Sequence, residues 1–219
     1  MATVVLSSLA LKGLLEKFRP ALERALGPLE LGFDATQAIL QQLAAGKRAD
    51  VLILTDEALR DLLVKQVVGE VIPLGSSGIG VAVRAGARKP DLSTVQAFKR
   101  SLEEASSVAQ SKVGASGLYF SSLVEKLPLN LKQRIIVEKG PVGLVVASGE
   151  AEIGIQQLCE LAPVPGIDIA GPLPAPLQVM TLFSAGIPTG AANPGAALEL
   201  VRHLRAARAA MLEDGMQPA

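Results

Sequence analysis

Two kinds of hydrophobic segment alternate along the chain. Short continuous apolar runs, which are typical of buried parallel strands, alternate with segments in which apolar residues recur every three or four positions, as on one face of a helix. The run 50–54 (DVLIL) is of the first kind, and the segment 9–24 is of the second. This alternation predicts an α/β fold in which mainly parallel sheets are flanked by helices.

The pattern gives an explicit set of elements. Predicted strands are 3–6, 29–33, 50–54, 71–85, 107–113, 134–137, 153–157 and 177–183. Predicted helices are 9–24, 36–45, 56–65, 94–102, 118–127, 141–148 and 196–210. The Pro-rich segment 163–176 (PVPGIDIAGPLPAP) is interpreted as a connection.

Two long extended segments, near 75–84 and 175–185, suggest how the chain is divided. They would carry the chain out of one α/β lobe and back into it. We therefore expect lobe I to comprise 1–79 and 178–219, and lobe II to comprise 80–177, joined by two hinge crossings with a cleft between them. The alternative is a single large doubly wound sheet.

Composition excludes several classes of partner. The 21 basic residues balance the 21 acidic ones, and aromatic residues make up only 3%, so nucleic acid is not an expected partner. No apolar stretch reaches the length of a membrane span, so membrane insertion is not expected either. The start of the chain lacks the features of a signal peptide, which favours a cytoplasmic location, or a periplasmic one if an export signal has been removed. Cys159, the only cysteine, lies in an apolar stretch and is interpreted as a buried thiol.

Small or hydroxylated residues stand where four predicted strands give way to helices. These starts are Ser7-Ser8, Ala35-Thr36, the segment 115–117 (ASG) and the segment 140–142 (GPV). The first-turn N–H groups of a helix lack intrahelical partners and carry partial positive charge, so they bind anions. In parallel α/β folds such starts lie at the carboxyl ends of the strands, where ligands sit. The alternative is that these residues are ordinary helix caps.

At these junctions the chain resembles the periplasmic molybdate-binding proteins and the wider type II solute-binding fold of bacterial extracellular solute-binding proteins. The family's Ala-Ser-Leu helix start is matched by SSL at 7–9, and its Ser-Ser-Gly start by ATQ at 35–37. Its Gly-x-x-Ala-Asp-Val segment is matched by GKRADV at 46–51, and its Pro-Ala-Gly-x-Tyr turn by ASGLY at 115–119. Its Gly-Glu-Ala-Asp-x-Gly-Ile segment appears as GEAEIGI at 149–155.

The resemblance implies a small oxyanion or carboxylate held by hydroxyls and main-chain N–H groups. The ligand-binding residues that it implies, together with amide side chains near them, are Ser7, Ser8, Thr36, Gln37, Ser116, Gly117, Tyr119, Pro141, Val142, Gln156 and Gln157. Gln37 replaces a glycine of the family's motif, and Gln157 replaces a tyrosine. Planar amides in these places favour a small carboxylate over a tetrahedral oxyanion. Because neighbours on a strand face opposite ways, the alternative for Gln156 and Gln157 is one inward and one surface residue.

Solute binding, as part of transport, is the first function that the sequence favours. Some relatives with this fold resemble isomerases of unsaturated tricarboxylic acids, such as aconitate isomerase, and an enzyme of that kind is the alternative. Its base could be Asp34 or Glu138, which lie close to helix starts, although carboxylates there are also typical surface caps. A sensor module of the LysR type would need a helix-turn-helix ahead of the first strand, and because the first predicted strand begins at residue 3, this function is not expected.

The sequence offers little for other chemistry. His203 lies beside Arg202 and Arg205 on the last predicted helix, where a solvated face is expected. The segment 75–80 (GSSGIG) precedes a strand rather than a helix, which argues against a dinucleotide site. Metal-ligand spacing and a nucleophile–base pair are also lacking. No cofactor or metal is therefore expected, and the sequence predicts no oligomeric state.

Overall fold

A computed structural model describes residues 2–219. The contacts of the chain divide it into two compact units. Unit 1 holds the residues up to Ser76 together with Thr181–Ala219, and unit 2 holds Ser77–Met180. The boundaries predicted from the sequence were 79/80 and 177/178, and those of the structure are 76/77 and 180/181.

Unit 1 is an α/β unit whose first three strands are parallel. Strand β1 pairs with both β2 and β3, and β9 joins β3 in the antiparallel direction. The short strand β10 pairs with the first part of β4. The strands are β1 (Thr3–Ser8), β2 (Leu29–Asp34), β3 (Val51–Thr55), the part of β4 (Val68–Arg84) up to Ser76, β9 (Met180–Pro188) and β10 (Gln217–Pro218).

The helices of unit 1 cover this sheet. A short 3₁₀ turn (Leu9–Leu11) leads into the first helix. The helices are α1 (Lys12–Leu26), α2 (Thr36–Ala44), α3 (Asp56–Val64), α8 (Pro194–Ala206) and α9 (Arg208–Glu213). Leu6, Leu52, Leu54, Ile39 and Leu59 form part of a buried cluster in which the central strands pack against α2 and α3.

Unit 2 repeats the arrangement. Strand β5 lies parallel to both β6 and β7, while β7 and β8 run antiparallel to the second part of β4. The strands are β5 (Val108–Ser111), β6 (Arg134–Val137), β7 (Ile153–Gln157) and β8 (Ile167–Pro172). The helices are α4 (Val95–Glu104), α5 (Ala115–Lys126), α6 (Val142–Ala147) and α7 (Leu158–Leu161), and a 3₁₀ turn spans Ala175–Leu177.

Several predicted bounds differ from those of the structure, among them the strand predicted over 177–183, which spans Met180–Pro188. Three other differences change the description of the fold. The segment 163–176 contains β8. This strand pairs with β4 and lies outside the main strand order, so it is an edge strand, where proline is tolerated. Helix α5 begins at Ala115 rather than 118, since its Gly- and Ser-rich first turn has low helix propensity but is held by tertiary contacts. The helix predicted over 196–210 is two helices, because Ala207, with φ −78° and ψ 35°, ends α8 and α9 begins at Arg208.

Candidate ligand site

The predicted residues of unit 1 lie at one edge of its sheet. Strands β1, β2 and β3 are parallel, with Ser8 opposite Asp34 and Ser7 opposite Ile53. Their carboxyl ends therefore meet at the same edge. The starts of α2 and α3 follow the second and third strands directly, as a ligand site of an open α/β sheet requires.

Ser8 is the best-supported ligand donor of unit 1. The residue is 4% exposed, and its Oγ has no hydrogen-bond partner among residues 2–219. The neighbouring Ser7 is fully buried and donates its own hydroxyl to the Ser8 carbonyl oxygen at 2.9 Å. Leaving a buried hydroxyl unpaired costs about 1–3 kcal/mol. A bound acceptor would remove that cost at Ser8, which is why this hydroxyl stays a candidate for ligand contact.

The other two predicted residues of unit 1 belong to the first turn of α2. Thr36 is half-buried, and its Oγ1 accepts the Thr55 N–H at 3.4 Å, which links the start of α2 to the end of β3. Gln37 is exposed. The two residues differ in that the threonine hydroxyl already has one internal partner, whereas the glutamine side chain extends towards solvent.

The predicted residues of unit 2 also share a sheet edge. Ser111 at the end of β5 lies opposite Val137 at the end of β6, and Gln110 lies opposite Ile155 of β7. Helices α5, α6 and α7 start beyond these three carboxyl ends. The structure thus brings Ser116, Pro141 and Gln157, with their neighbours, to one side of this sheet.

The start of α5 is held unusually close to the end of β5. A Cβ on the buried Gly117 would lie 1.9 Å from the Ser111 carbonyl oxygen, so only glycine allows this approach. The buried Gln110 side chain donates to the Gly117 carbonyl oxygen at 2.9 Å and to Ser121 Oγ at 2.7 Å. Ser116, 1% exposed, is therefore presented by a helix start whose backbone position is fixed.

Arg134 completes this support from β6. Its Nε donates to Gln110 Oε1 at 2.7 Å, and an Nη donates to Ser121 Oγ at 2.6 Å. Both ends of the Gln110 amide are thereby satisfied, which fixes its orientation.

Tyr119 has a partner inside unit 2. Its hydroxyl donates to the Leu177 carbonyl oxygen at 2.7 Å, and its ring packs against the core cluster that includes Phe120 and Ile155. This bond ties α5 to the 3₁₀ turn that precedes β9. A ligand would have to compete with that bond for the phenol.

A side chain occupies the amide at the start of α6. Pro141 is the N-cap residue, and the Val142 N–H donates to Gln156 Oε1 at 2.8 Å. The carboxamide oxygen of Gln156 therefore stands where the resemblance implied a ligand oxygen. The Nε2 of the same amide donates to the carboxyl group of Glu160.

The alternative that one of Gln156 and Gln157 is a surface residue was wrong. Each is 1% exposed. Strand β7 lies between β4 and β5, both faces of this sheet are covered, and α7 begins directly after Gln157. Alternation along the strand consequently sends the two side chains into two buried environments rather than one.

Glu160 is the functional candidate that the sequence predictions missed. It lies on α7, and it forms no ion pair within the described part of the chain, residues 2–219. Burial raises the pKa of the Glu160 carboxyl to about 7, and the hydrogen bond from Gln156 partly opposes this rise. A signal was present in the sequence, because Glu160 is the only charged residue in the stretch 153–167.

The two carboxylates suggested earlier as bases make ordinary local contacts. Asp34 accepts the Ala35 N–H at 2.9 Å and the Gln42 side-chain amide at 3.3 Å. Glu138 is exposed and pairs through both oxygens with Lys112, at 2.9 and 3.1 Å. Asp34 is therefore a local cap and Glu138 a surface ion-pair partner, in agreement with the alternative that such carboxylates are surface caps or strand-end charges.

Four further expectations concern features outside the candidate site. Cys159 is buried, as predicted. His203 is exposed on α8, where its Nδ1 lies 2.9 Å from the Glu199 carbonyl oxygen. Within residues 2–219 no cluster of three or more His, Cys, Asp or Glu side chains is arranged to hold a metal ion. In the same residues no helix has the length and apolar character that crossing a membrane requires.

Known proteins resemble this chain along nearly its whole length. It is 42% identical to an aconitate isomerase from Pseudomonas sp., in a match that covers 98% of this chain and 87% of that protein. The Azotobacter vinelandii periplasmic molybdate-binding protein has the same fold, with a TM-score of 0.79, 18% identity and 98% of each chain covered. A substrate-binding domain of a putative molybdenum ABC transporter from Clostridium difficile gives a TM-score of 0.69 at 14% identity, covering 100% of this chain and 99% of that one.

These likenesses confirm the predicted fold class, an α/β fold of the type II periplasmic-binding kind. The family described as bacterial extracellular solute-binding protein matches residues 7–217, a range that includes the starts of α2, α5 and α6. The chain therefore belongs to the bacterial extracellular solute-binding protein family.

Proposed function

We propose that this protein binds a small unsaturated tricarboxylate and interconverts its isomers, as an aconitate isomerase. The observation that carries the proposal is the 42% identity to an aconitate isomerase over 98% of the chain. At that level of identity the fold and the general design of a site are usually kept, while lower-identity likenesses speak for the fold alone. The local geometry supports a carboxylate ligand in two ways.

The first support is the set of donors at the helix starts. Ser8 offers a buried hydroxyl without an internal partner, and Ser116 offers a buried hydroxyl on the first turn of α5. Hydroxyl and first-turn N–H groups are suited to carboxylate oxygens, because the hydrogen bonds are charge-assisted and the helix dipole favours a negative ligand. Gln37 adds a planar amide in unit 1.

The second support is the chemistry that such donors permit. In aconitate a methylene carbon and a vinylic carbon flank the central carbon, and each of the three carbons bears a carboxylate. Removal of a methylene proton leaves an electron pair that spreads over the three carbons and onto a terminal carboxylate. Return of a proton to the formerly vinylic carbon moves the double bond, and the new bond can take either geometry. The reaction needs one proton carrier and donors that stabilise the extra negative charge.

The serine hydroxyls give the first prediction. Ser8→Ala or Ser116→Ala should weaken the binding of trans-aconitate by about 1–3 kcal/mol, because a lost donor leaves buried charge under-coordinated. Isothermal calorimetry on the purified variants measures this directly. Ser122→Ala is the matched control, since the Ser122 hydroxyl lies on α5 but bonds only to the Tyr119 carbonyl oxygen of its own helix. Unchanged affinity in both Ser8→Ala and Ser116→Ala would show that neither hydroxyl contacts the ligand.

The activity is tested by incubating the protein separately with cis- and trans-aconitate and separating the isomers by chromatography. We expect both reactions to approach the same final ratio of isomers, because a catalyst changes the rate and not the equilibrium. A protein that binds either isomer but leaves its amount unchanged at many-fold excess of ligand would contradict the proposal.

The second candidate function is capture of an anion without turnover, and membership of the solute-binding family favours it. Calorimetry with molybdate, tungstate, sulfate and a panel of small carboxylates distinguishes the two. Capture predicts tight binding with no product, whereas the isomerase predicts a preference for tricarboxylates and product formation. Location separates them as well: we expect the isomerase in the cytoplasmic fraction of cells that express the native gene, and a transport protein in the periplasmic fraction.

A further inference from the structure

Three groups in unit 2 form a continuous chain of hydrogen bonds. The Val142 N–H donates to Gln156 Oε1 at 2.8 Å, and Gln156 Nε2 donates to the Glu160 carboxyl. Because the backbone N–H can only donate, the amide of Gln156 must present its oxygen to Val142 and its nitrogen to Glu160. These bonds hold one oxygen of the Glu160 carboxyl in place, while the residue stays partly accessible to solvent.

Among residues 2–219, no cation forms an ion pair with the Glu160 carboxyl. Helix α7 packs against α6, β7 and β8 and along β4. Helix α6 and strand β7 carry no titratable residue, and α7 itself adds only the buried Cys159 thiol. On β8, Asp168 accepts the Gly86 N–H at 2.9 Å, and on β4 the Arg84 guanidinium lies beside Gly149. No ion pair in the described residues involves the Glu160 carboxyl, which is unusual for a carboxyl in such a desolvated place.

We infer that Glu160 is the group that takes and returns the proton in the isomerisation, an assignment that rests on the proposed function. The carboxylate removes a proton from the methylene carbon of the ligand, and the C–H electron pair enters the three-carbon system. The neutral carboxyl then gives that proton to the formerly vinylic carbon, and the electron pair there forms the new C–H bond. No oxidant, reductant or second substrate is consumed, and Glu160 ends in its starting state.

The protonation behaviour of the carboxyl agrees with this role. Burial raises the pKa of Glu160 to about 7, so both forms are populated near neutral pH. A group whose pKa lies near the working pH can both accept and donate a proton efficiently. The hydrogen bond from Gln156 holds one side of the carboxyl and leaves the other oxygen for the ligand.

The test compares wild type with Glu160→Gln, which keeps the shape and the acceptor for Gln156 but cannot carry a proton. We expect kcat for aconitate to fall at least about 100-fold. The Kd for trans-aconitate should stay within about threefold of wild type, which is less than one hydrogen bond is worth. The matched control is Glu125→Gln, which removes an exposed carboxyl on α5 and should leave kcat unchanged. In wild type, kcat should rise with pH through about 7, because the carboxylate is the form that starts the reaction.

Different failures have different meanings. If wild type shows no turnover, the proposed function fails and this assignment fails with it. If wild type turns over and Glu160→Gln is equally active, the assignment alone is wrong. If Glu160→Gln loses binding as much as turnover, Glu160 is a structural residue and the assignment is also wrong. Glu160→Asp guards against a folding defect in the glutamine variant, since it should keep the pH dependence of kcat at a reduced rate.

Discussion

Replacing Gly117 with alanine is expected to destabilise the protein by about 3 kcal/mol or more, the upper range for overpacking. The added Cβ would lie 1.9 Å from the Ser111 carbonyl oxygen, which is backbone and cannot rotate away. Relief requires the start of α5 to move away from β5, which also strains the bonds from Gln110 to Gly117 and Ser121. Urea unfolding followed by far-UV circular dichroism is the suitable measurement, because the chain contains no tryptophan.

The matched control for this substitution is Gly195→Ala. Gly195 also lies in the first turn of a helix, α8, but a Cβ there would meet nothing within 4 Å. Alanine should therefore be neutral at this position or stabilise the protein by up to about 1 kcal/mol. If the two variants unfold at the same urea concentration, the close approach of α5 to β5 does not limit stability. If Gly117→Ala is stable yet binds trans-aconitate as well as wild type, the fixed position of Ser116 is not important for the ligand.

Glu160→Gln is expected to stabilise the protein at neutral and alkaline pH and to leave its stability nearly unchanged below about pH 4.5. The folded pKa of Glu160 is about 7 against an ordinary value of 4.5, so between these values the folded state holds a proton that the unfolded state releases. Wild type therefore loses stability as pH rises from 4.5 to about 7, and the loss is complete above 7. At about 1.4 kcal/mol per pH unit, the difference amounts to about 3 kcal/mol. Glutamine does not ionise and avoids this cost.

The measurement is the difference in free energy of unfolding between Glu160→Gln and wild type, at about pH 8 and about pH 4. Taking the difference at each pH cancels the titration of the other groups. We expect a gap of about 3 kcal/mol at the higher pH and almost none at the lower. Glu125→Gln should show no gap at either pH, because that carboxyl is exposed. An equal gap at both pH values would mean that Glu160 does not titrate abnormally in the folded protein.

Much of the fold follows from local sequence pattern. Strands at 134–137 and 153–157 match their predicted bounds, because short continuous apolar runs of this length favour buried strands. Strand β8 was missed because proline and glycine normally mark loops, and only its pairing with β4 makes Ile167–Pro172 extended. The start of α5 was predicted three residues too late for a related reason. Its first turn is stabilised by the close contact between Gly117 and Ser111, and helix propensity does not describe a contact of that kind.

The sequence names candidate residues of the site more readily than their contacts. Ser8 and Ser116 can be proposed from the sequence alone, because a hydroxyl at a helix start is a local feature, and their role in binding a ligand stays a prediction. The bond between Gln156 and the Val142 amide could not be predicted, because it depends on how β7 and α6 pack. The raised pKa of Glu160 could not be predicted either, because it comes from burial, which is a property of the folded chain.

The most direct test of the proposed activity is proton NMR of trans-aconitate incubated with the protein in D2O. We predict that signals of cis-aconitate appear while those of the trans isomer decline, and that deuterium enters the methylene position in every cycle in which the protonated carboxyl exchanges with solvent before it returns its proton. The same two isomers, in the same ratio, should result when the reaction begins from cis-aconitate. A bound ligand whose spectrum and hydrogen content stay unchanged over many equivalents would contradict the isomerase.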